Sequence, residues 1–298
     1  MSRRLSRDAW TSALSTGEFA AVRSVGFEPV GQVMGTAVFR MTDRPLRGAD
    51  TGYYDCGCGP QALAAGRGVP VVTSGSGAAS RELVGVRGRA RQLALRRIAD
   101  ECAALDGDGV VAARLTETPF ATGQDCVEFQ VIGTAVRAVA ADTRPGRPFT
   151  THLDGRGLAR LLTAGVVPVS VVVGHSIGVR HRDWATSGET GLGAPGREIR
   201  GYTELVERTR HDARDQLRVQ GRHNGADGII LRDRGELRIR SEHCRRRELS
   251  DHGHDDVAEA TLFGTAVASF RPAARPAGRM TVVPLDRLTT DFRRGNVR

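Results

Sequence analysis

The feature that most constrains the fold is an internal repeat, because four short segments recur in the same order in both halves of the 298-residue chain. An apolar run leading to two glycines comes first, and an Arg-Glu pair that opens a charged stretch follows it. An acidic glycine turn and a Gly-Thr-Ala-Val sequence complete the order. A repeat of fixed order indicates the architecture before any residue is interpreted. The segments are 19–35, 81–85, 106–111 and 133–136 in the first half, and 166–178, 197–201, 225–230 and 264–267 in the second.

Residue spacing predicts the elements of each copy. Apolar side chains recur every three or four residues after Arg81 and again after Arg197, which predicts one amphipathic helix per copy. The remaining β-branched runs predict strands. These strands cover 18–25, 30–39, 109–116 and 126–139 in the first copy, and 165–180, 228–240 and 256–269 in the second. The expected fold class is α+β, with two tandem β-α-β-β modules that each pack one helix on a small, mainly antiparallel sheet.

The repeat also divides the chain into domains. The first module covers 1–140 and contains an insert at 44–70 without a counterpart in the second copy. A Pro- and Gly-containing linker covers 141–150, and the second module covers 151–270. Residues 271–298 form a Pro-, Ala- and Arg-rich linker and a short tail, which could bind a protein partner.

Composition limits the class of protein. The net charge is +9, but every basic residue is Arg and the arginines alternate with acids, which argues against a nucleic-acid partner. Five cysteines are too few for a disulfide scaffold and fit reduced thiols in a cytoplasm. The longest apolar run, 166–173, is under half a membrane span, and no signal peptide precedes the first module. We therefore expect a cytoplasmic protein without a membrane span.

The order of motifs resembles a known family. The glycine pair, the Gly75-Ser76-Gly77 loop, the Ala-Asp-Gly turn and the closing Gly-Thr-Ala-Val strand look like the YbjQ-like family, which is labelled a heavy-metal-binding domain. The resemblance covers 17–140 and 160–270. It implies dodecin-like modules that assemble as homo-oligomeric, pentameric rings, and it supplies no catalytic residues.

One candidate site is a sequence motif in the second copy. Gly174-His175-Ser176-Ile177-Gly178 fits the G-x-S-x-G motif of serine hydrolases and follows an apolar strand. Aligned on the glycines, the first copy has Val33 in place of Ser176, so the spacing belongs to the repeat rather than to a catalytic turn.

The stronger candidate is a metal site in the hairpin that joins the last two predicted strands. Imidazole, thiol and carboxylate donors lie close together there and suit Zn²⁺, Ni²⁺ or Cu²⁺. A solvated hairpin tip is the alternative, since no established ligand spacing is present. Cys56 and Cys58, one residue apart in the insert, form a second pair of candidate metal ligands. The hairpin candidates are His243, Cys244, His252, His254 and Asp255.

The sequence therefore favours a non-enzymatic, ring-forming scaffold or binding protein, in which pairing of exposed sheet edges between subunits removes unpaired strands. The alternatives are a heavy-metal-binding or metal-sensing protein that uses the second hairpin, and a serine hydrolase that acts through Ser176.

Overall fold

A computed structural model describes residues 11–41, 70–76, 80–122, 126–140, 146–182, 186, 189–190, 196–233, 235–243 and 254–270. The helices of the described residues are α1 (Thr16–Ser24), α2 (Ser80–Ala104), α3 (Gly155–Thr163) and α4 (Arg200–His223). The strands are β1 (Phe27–Arg40), β2 (Val72–Thr73), β3 (Gly109–Pro119), β4 (Cys126–Ala138), β5 (Phe149–Thr150), β6 (Val166–His181), β7 (Gly228–Leu231), β8 (Glu236–His243) and β9 (His254–Ser269).

The strands form two sheets, one mainly from each half of the chain. The first sheet has the order β1-β4-β3-β5, and the second has the order β2-β6-β9-β7, with β8 also paired to β9. Every pairing of these strands is antiparallel except the one between β3 and β5. The predicted α+β class and the predicted hairpin at the end of each half are thus confirmed.

Both halves have the same order of helix, long strand, long helix and strands. Their registers also agree: a bulge between Pro29 and Gly31 interrupts the pairing of β1 with β4, and a bulge between Pro168 and Ser170 interrupts the pairing of β6 with β9. Gly31 is therefore equivalent to Ser170. The alignment of glycine pairs made from the sequence is wrong by four residues.

The corrected register changes the meaning of the glycine spacing that the halves share. Gly35 is equivalent to Gly174, and each lies where the long helix crosses the long strand. A Cβ atom would lie 2.1 Å from the carbonyl oxygen of Ala94 at Gly35, and 2.0 Å from that of Ala213 at Gly174. Each glycine thus allows the helix backbone to approach the strand closely. Ser176 is equivalent to Ala37, not to Val33.

One predicted strand is a helix. Residues 18–25 were expected to be a strand, but α1 begins at Thr16, where the Ser15 side chain and Glu18 form a capping box. Asp154 caps α3 in the same place in the second half. The short apolar run suggested a strand, whereas the polar caps before these helices determine where they begin.

Two further boundaries differ from the prediction. The run 228–240 is two strands, since the chain turns at Gly235, whose φ of +79° favours glycine. The last part of the predicted linker is strand β5, in which Phe149 and Thr150 pair with Gly109 and Val110 of the first sheet. The link between the halves is thus part of a sheet.

Helix α2 lies between the two sheets. One side of it packs on the first sheet, where Ala94 and Ile98 join Val33 and Phe129 in the largest core cluster. Its other side covers the second sheet, since Val171 and Val173 of β6 belong to the same cluster. Helix α4 packs on the opposite face of the second sheet through Ala213 and Leu217. The layers therefore follow the order α4, second sheet, α2, first sheet.

No helix of the described residues is long and apolar enough to cross a membrane.

Candidate functional site

Ser176 lies inside a strand rather than at a catalytic turn. Strand β6 continues through the whole G-x-S-x-G motif, whereas a nucleophile elbow needs a sharp strand-to-helix turn. The Ser176 hydroxyl is fully buried and donates a 2.5 Å hydrogen bond to the Asp212 carboxylate. Ser74 also donates to Asp212, over 3.1 Å. The two hydroxyls thus bind the segment after β2 and strand β6 to helix α4, which is a structural role.

Among the described residues, no histidine completes a catalytic arrangement with Ser176. Neighbouring His175 points to the opposite face of β6, where its Nδ1 lies 2.9 Å from the Thr261 hydroxyl. A nucleophile must also be open to its substrate, whereas the Ser176 side chain is 0% exposed and its hydroxyl is bound to Asp212. The hydrolase alternative is therefore wrong.

The predicted metal ligands are only partly within the described residues. Cys56, Cys58, Cys244 and His252 lie outside them. His243 and His254 are opposite each other in the register of β8 and β9. The part of the chain that the structure describes contains no group of three His, Cys, Asp or Glu side chains that could hold a metal ion.

Asp255 has a partner that the sequence did not suggest. Its carboxylate lies 2.8 Å from Nδ1 of His181, and both side chains are buried. The neighbouring Asp256 accepts a hydrogen bond from Arg182 over 2.6 Å. These acids at the start of β9 therefore bind the end of β6, and they hold the two long strands together.

A charged cluster lies at the contact between α2 and the second sheet. Arg87 of α2 pairs with Glu259 of β9, and Nε2 of His175 lies 3.5 Å from the same carboxylate. Arg91, which is 4% exposed, donates to Glu117 of the first sheet over 2.6 Å. The two arginines of α2 thus each pair with a different sheet, and their charges are compensated inside the chain.

Burial determines the protonation of His175. Loss of solvent holds the pKa of its imidazole well below the ordinary range, and the charges of Arg91 and Arg87 act in the same direction. The ring is therefore neutral at neutral pH, and it belongs to the packed contact between α2 and β6.

The counterpart of this contact on the first sheet is the part of its outer face around Met34 and Val38, which no helix of the described residues buries. In β1 the residues alternate, so that Val33 and Ala37 are buried against α2 while Met34 and Val38 face outward. Met34 is 48% exposed and Val38 is 44% exposed. Their equivalents in β6, Val173 and Ile177, are 6% and 0% exposed because α2 covers them. This outer face was not among the sequence predictions, although the alternation in β1 could have indicated it.

The outer edge of the first sheet is closed by side chains. On the side of β1 that no described strand pairs, the backbone N–H of Met34 donates to Glu101 over 2.6 Å. The carbonyl oxygen of Thr36 accepts a hydrogen bond from Arg97. Charged residues of α2 thus occupy the backbone groups that edge pairing between subunits would need. The exposed face, not this edge, is the candidate contact surface.

Comparison with known proteins gives a relative from Mycobacterium tuberculosis. The chain is 34% identical over 182 residues to a protein of that organism named encapsulin nanocompartment protein Rv1762c. The match covers 59% of this chain and 60% of the relative, so the chain spans less than two thirds of the relative's length. No family model matches the chain.

These comparisons correct the resemblance drawn from the motifs. The identification as two YbjQ-like, heavy-metal-binding modules is wrong, since no family model supports it and the relative is named for a nanocompartment. The metal-binding function and the pentameric ring lose their basis with it. The chain is similar over part of its length to a nanocompartment protein.

Proposed function

We propose that the chain is a self-associating structural component of a protein nanocompartment, and not an enzyme. The similarity to encapsulin nanocompartment protein Rv1762c supports the kind of assembly. The fold supports self-association, because one face of the first sheet carries outward apolar side chains. The homo-oligomer expected from the sequence is retained, while its ring form and subunit number are left to measurement.

The exposed sheet face is the observation that carries the proposal. Single exposed apolar residues are common on proteins, but Met34 and Val38 lie on the same face of one strand. The same positions are buried in the second half of the same chain. A surface that one copy of a repeat buries and the other leaves open is the pattern expected of a subunit contact.

The buried polar groups support a structural role. The Ser74, Ser176 and Asp212 cluster is formed by side chains that hydrogen-bond to one another inside the molecule. His175 is held neutral in a packed contact. These groups stabilise contacts between helices and strands, and none of them has a reactive atom that is accessible to a substrate.

Solution mass tests the self-association. Untagged protein at several concentrations, studied by size-exclusion chromatography with light scattering, is expected to show a mass several times the 31.9 kDa of one chain. A mass of one chain at every concentration would contradict the proposal.

Electron microscopy tests the compartment. In cells that make the chain at its natural level, gold-labelled antibodies against the chain are expected to mark closed particles in sedimented fractions. Labelling of open rings or filaments would contradict the nanocompartment role while leaving self-association intact.

A further inference from the structure

We propose that the outer face of the first sheet binds helix α4 of a second copy, and so repeats between chains the contact that α2 makes with the second sheet inside the chain. This inference rests on the self-association proposed above and names its two surfaces. The acceptor surface is the part of the outer face of β1 and β4 around Met34, Val38 and Glu128, since α1 and α3 cover the other end of this face at Val136. The donor surface is the outward side of α4.

The acceptor surface has an equivalent on the second sheet that is covered by a helix. On the second sheet, Leu83 of α2 packs on Ile177, Val179 and Val257. On the first sheet, the position of Ile177 is held by Val38, which is 44% exposed. In both sheets the long strand pairs with the last strand through the same bulge, so they present the same backbone surface to a helix. A helix can therefore bind the first sheet as α2 binds the second.

The donor surface on α4 also has an equivalent, on α2, that is buried inside the chain. The close approaches at Gly35 and Gly174 align Ala94 of α2 with Ala213 of α4. On this alignment, Arg91 is equivalent to Arg210, and Arg87 to Val206. Arg91 is 4% exposed between the two sheets, whereas Arg210 is exposed to solvent. One side of α2 packs on the second sheet. The corresponding side of α4 is not covered by any layer of the described residues.

Charge favours this pairing of surfaces. Glu128 lies on the outer face of β4, directly opposite Val38 in the register with β1. It occupies the position that Glu259 has in the second sheet, where Arg87 pairs with it. The exposed side of α4 offers Arg210 and Arg214 as cations for this carboxylate. A second copy of the chain thus offers the half-buried Val206 for the apolar contact and two cations for Glu128.

The contact is directional, because each chain has one acceptor surface and one donor surface. By itself such a head-to-tail contact closes into a ring or continues as a filament of subunits, so a closed particle needs a second contact that joins these rings or filaments. Edge pairing between subunits, which the repeat suggested, does not suit this sheet, since Glu101 and Arg97 already bind the backbone groups of its outer edge.

Complementary variants test the direction of the contact. Val38→Arg blocks the acceptor surface and places its charge opposite Glu128, which keeps the sheet stable. Val206→Glu blocks the donor surface and forms a helical pair with Arg210 four residues on. Each variant alone is expected to have the mass of one 31.9 kDa chain at a concentration at which the unaltered protein assembles. Far-ultraviolet circular dichroism checks that each is folded.

Mixing the two variants is the decisive measurement. In the mixture, only Val206→Glu has an intact acceptor surface and only Val38→Arg has an intact donor surface. One molecule of each is expected to form a pair with twice the mass of a chain, and nothing larger. Ile239→Arg is the matched control, since Ile239 is a strand residue that is 54% exposed on the second sheet. This control is expected to assemble like the unaltered protein.

The outcomes distinguish the head-to-tail contact from the self-association on which it rests. If the unaltered protein is a single chain, the proposed self-association fails. If the unaltered protein assembles and folded Val38→Arg assembles equally well, or if the mixture of variants forms no pair, the head-to-tail contact is wrong while self-association stands.

Discussion

Strands β1 and β6 have the same place in the two halves of the molecule, but they differ in how many of their faces are covered. The residues of β6 from Val171 to His181 are buried without a break, because α4 packs on one face and α2 on the other. In β1 only residues that face α2 are buried. The difference shows that one helix, α2, provides two packing surfaces. On the far face of the first sheet, α1 and α3 cover Val111 and Val136, whereas no described helix buries Met34 or Val38.

The largest expected effect comes from truncation to Ala at equivalent positions of the covered and the exposed face. Ile177→Ala removes a side chain that is 0% exposed and should lower the free energy of unfolding by about 2–5 kcal/mol. Val38→Ala changes the equivalent, 44% exposed position and should cost less than about 0.5 kcal/mol. Urea denaturation at low protein concentration measures both, since dilution minimises the contribution of association. Equal losses would remove the distinction between the two faces.

A smaller but matched effect is expected at the two helix crossings. Ala at Gly35 or at Gly174 would bring a Cβ within about 2 Å of a helix carbonyl oxygen, so each substitution should destabilise the protein by roughly 1–3 kcal/mol. Gly88→Ala is the control, because nothing lies within 4 Å of its added Cβ and alanine favours helix. Thermal unfolding should show two losses and one gain. A tolerated substitution at only one of the two glycines would contradict their equivalence.

The third effect is absent at neutral pH, appears only in acid, and concerns a histidine found in one half only. In the second half the backbone N–H of His152 donates to the hydroxyl of Thr265. In the first half the backbone N–H of Ala13 donates to the equivalent hydroxyl of Thr134. Burial lowers the pKa of His152 to about 4, with the charge of Arg232 acting in the same direction and that of Asp233 opposing it. The unfolded chain, with a pKa near 6.5, therefore binds the proton more readily.

Stability should thus be lost as the pH falls from about 6.5 towards 4, by up to roughly 3 kcal/mol. His152→Ala, which copies the first half, should make that part of the stability profile less steep, while the buried His175 still contributes to the acid loss. Urea midpoints between pH 4 and pH 7 measure the change. His211→Ala is the control, because His211 is exposed on α4. An unchanged profile in His152→Ala would show that another group causes the acid loss.

Periodicity predicted the long elements because their apolar positions recur along the chain. Strand β4 was expected at 126–139 and lies at Cys126–Ala138, and both long helices were expected. The small helices α1 and α3 were missed, since each is defined by one polar cap, Ser15 or Asp154, rather than by a long apolar stripe. Their caps occupy the same place in the two halves and could have been found by extending the self-comparison.

The contacts between layers could not be predicted from the sequence. Arg87 and Arg91 suggest a solvated helix face, yet Arg91 is 4% exposed and pairs with Glu117. Asp255 was predicted as a metal ligand from its loop neighbours, and the fold places its carboxylate 2.8 Å from Nδ1 of His181 on a distant strand. In each case the partner comes from a distant strand, and local spacing contains no information about which charges the fold brings together.

The joining of two halves by β5 has a consequence for assembly kinetics. Because Phe149 and Thr150 are held in the first sheet by β3, the second half starts from a fixed point beside β6, where Thr150 accepts a hydrogen bond from the backbone N–H of Val171. The contact between α2 and the second sheet is thus intramolecular and forms at a high effective concentration, whatever the amount of protein. In the proposed head-to-tail assembly, three of the four layer contacts per chain lie within the chain, so dilution can break only the fourth.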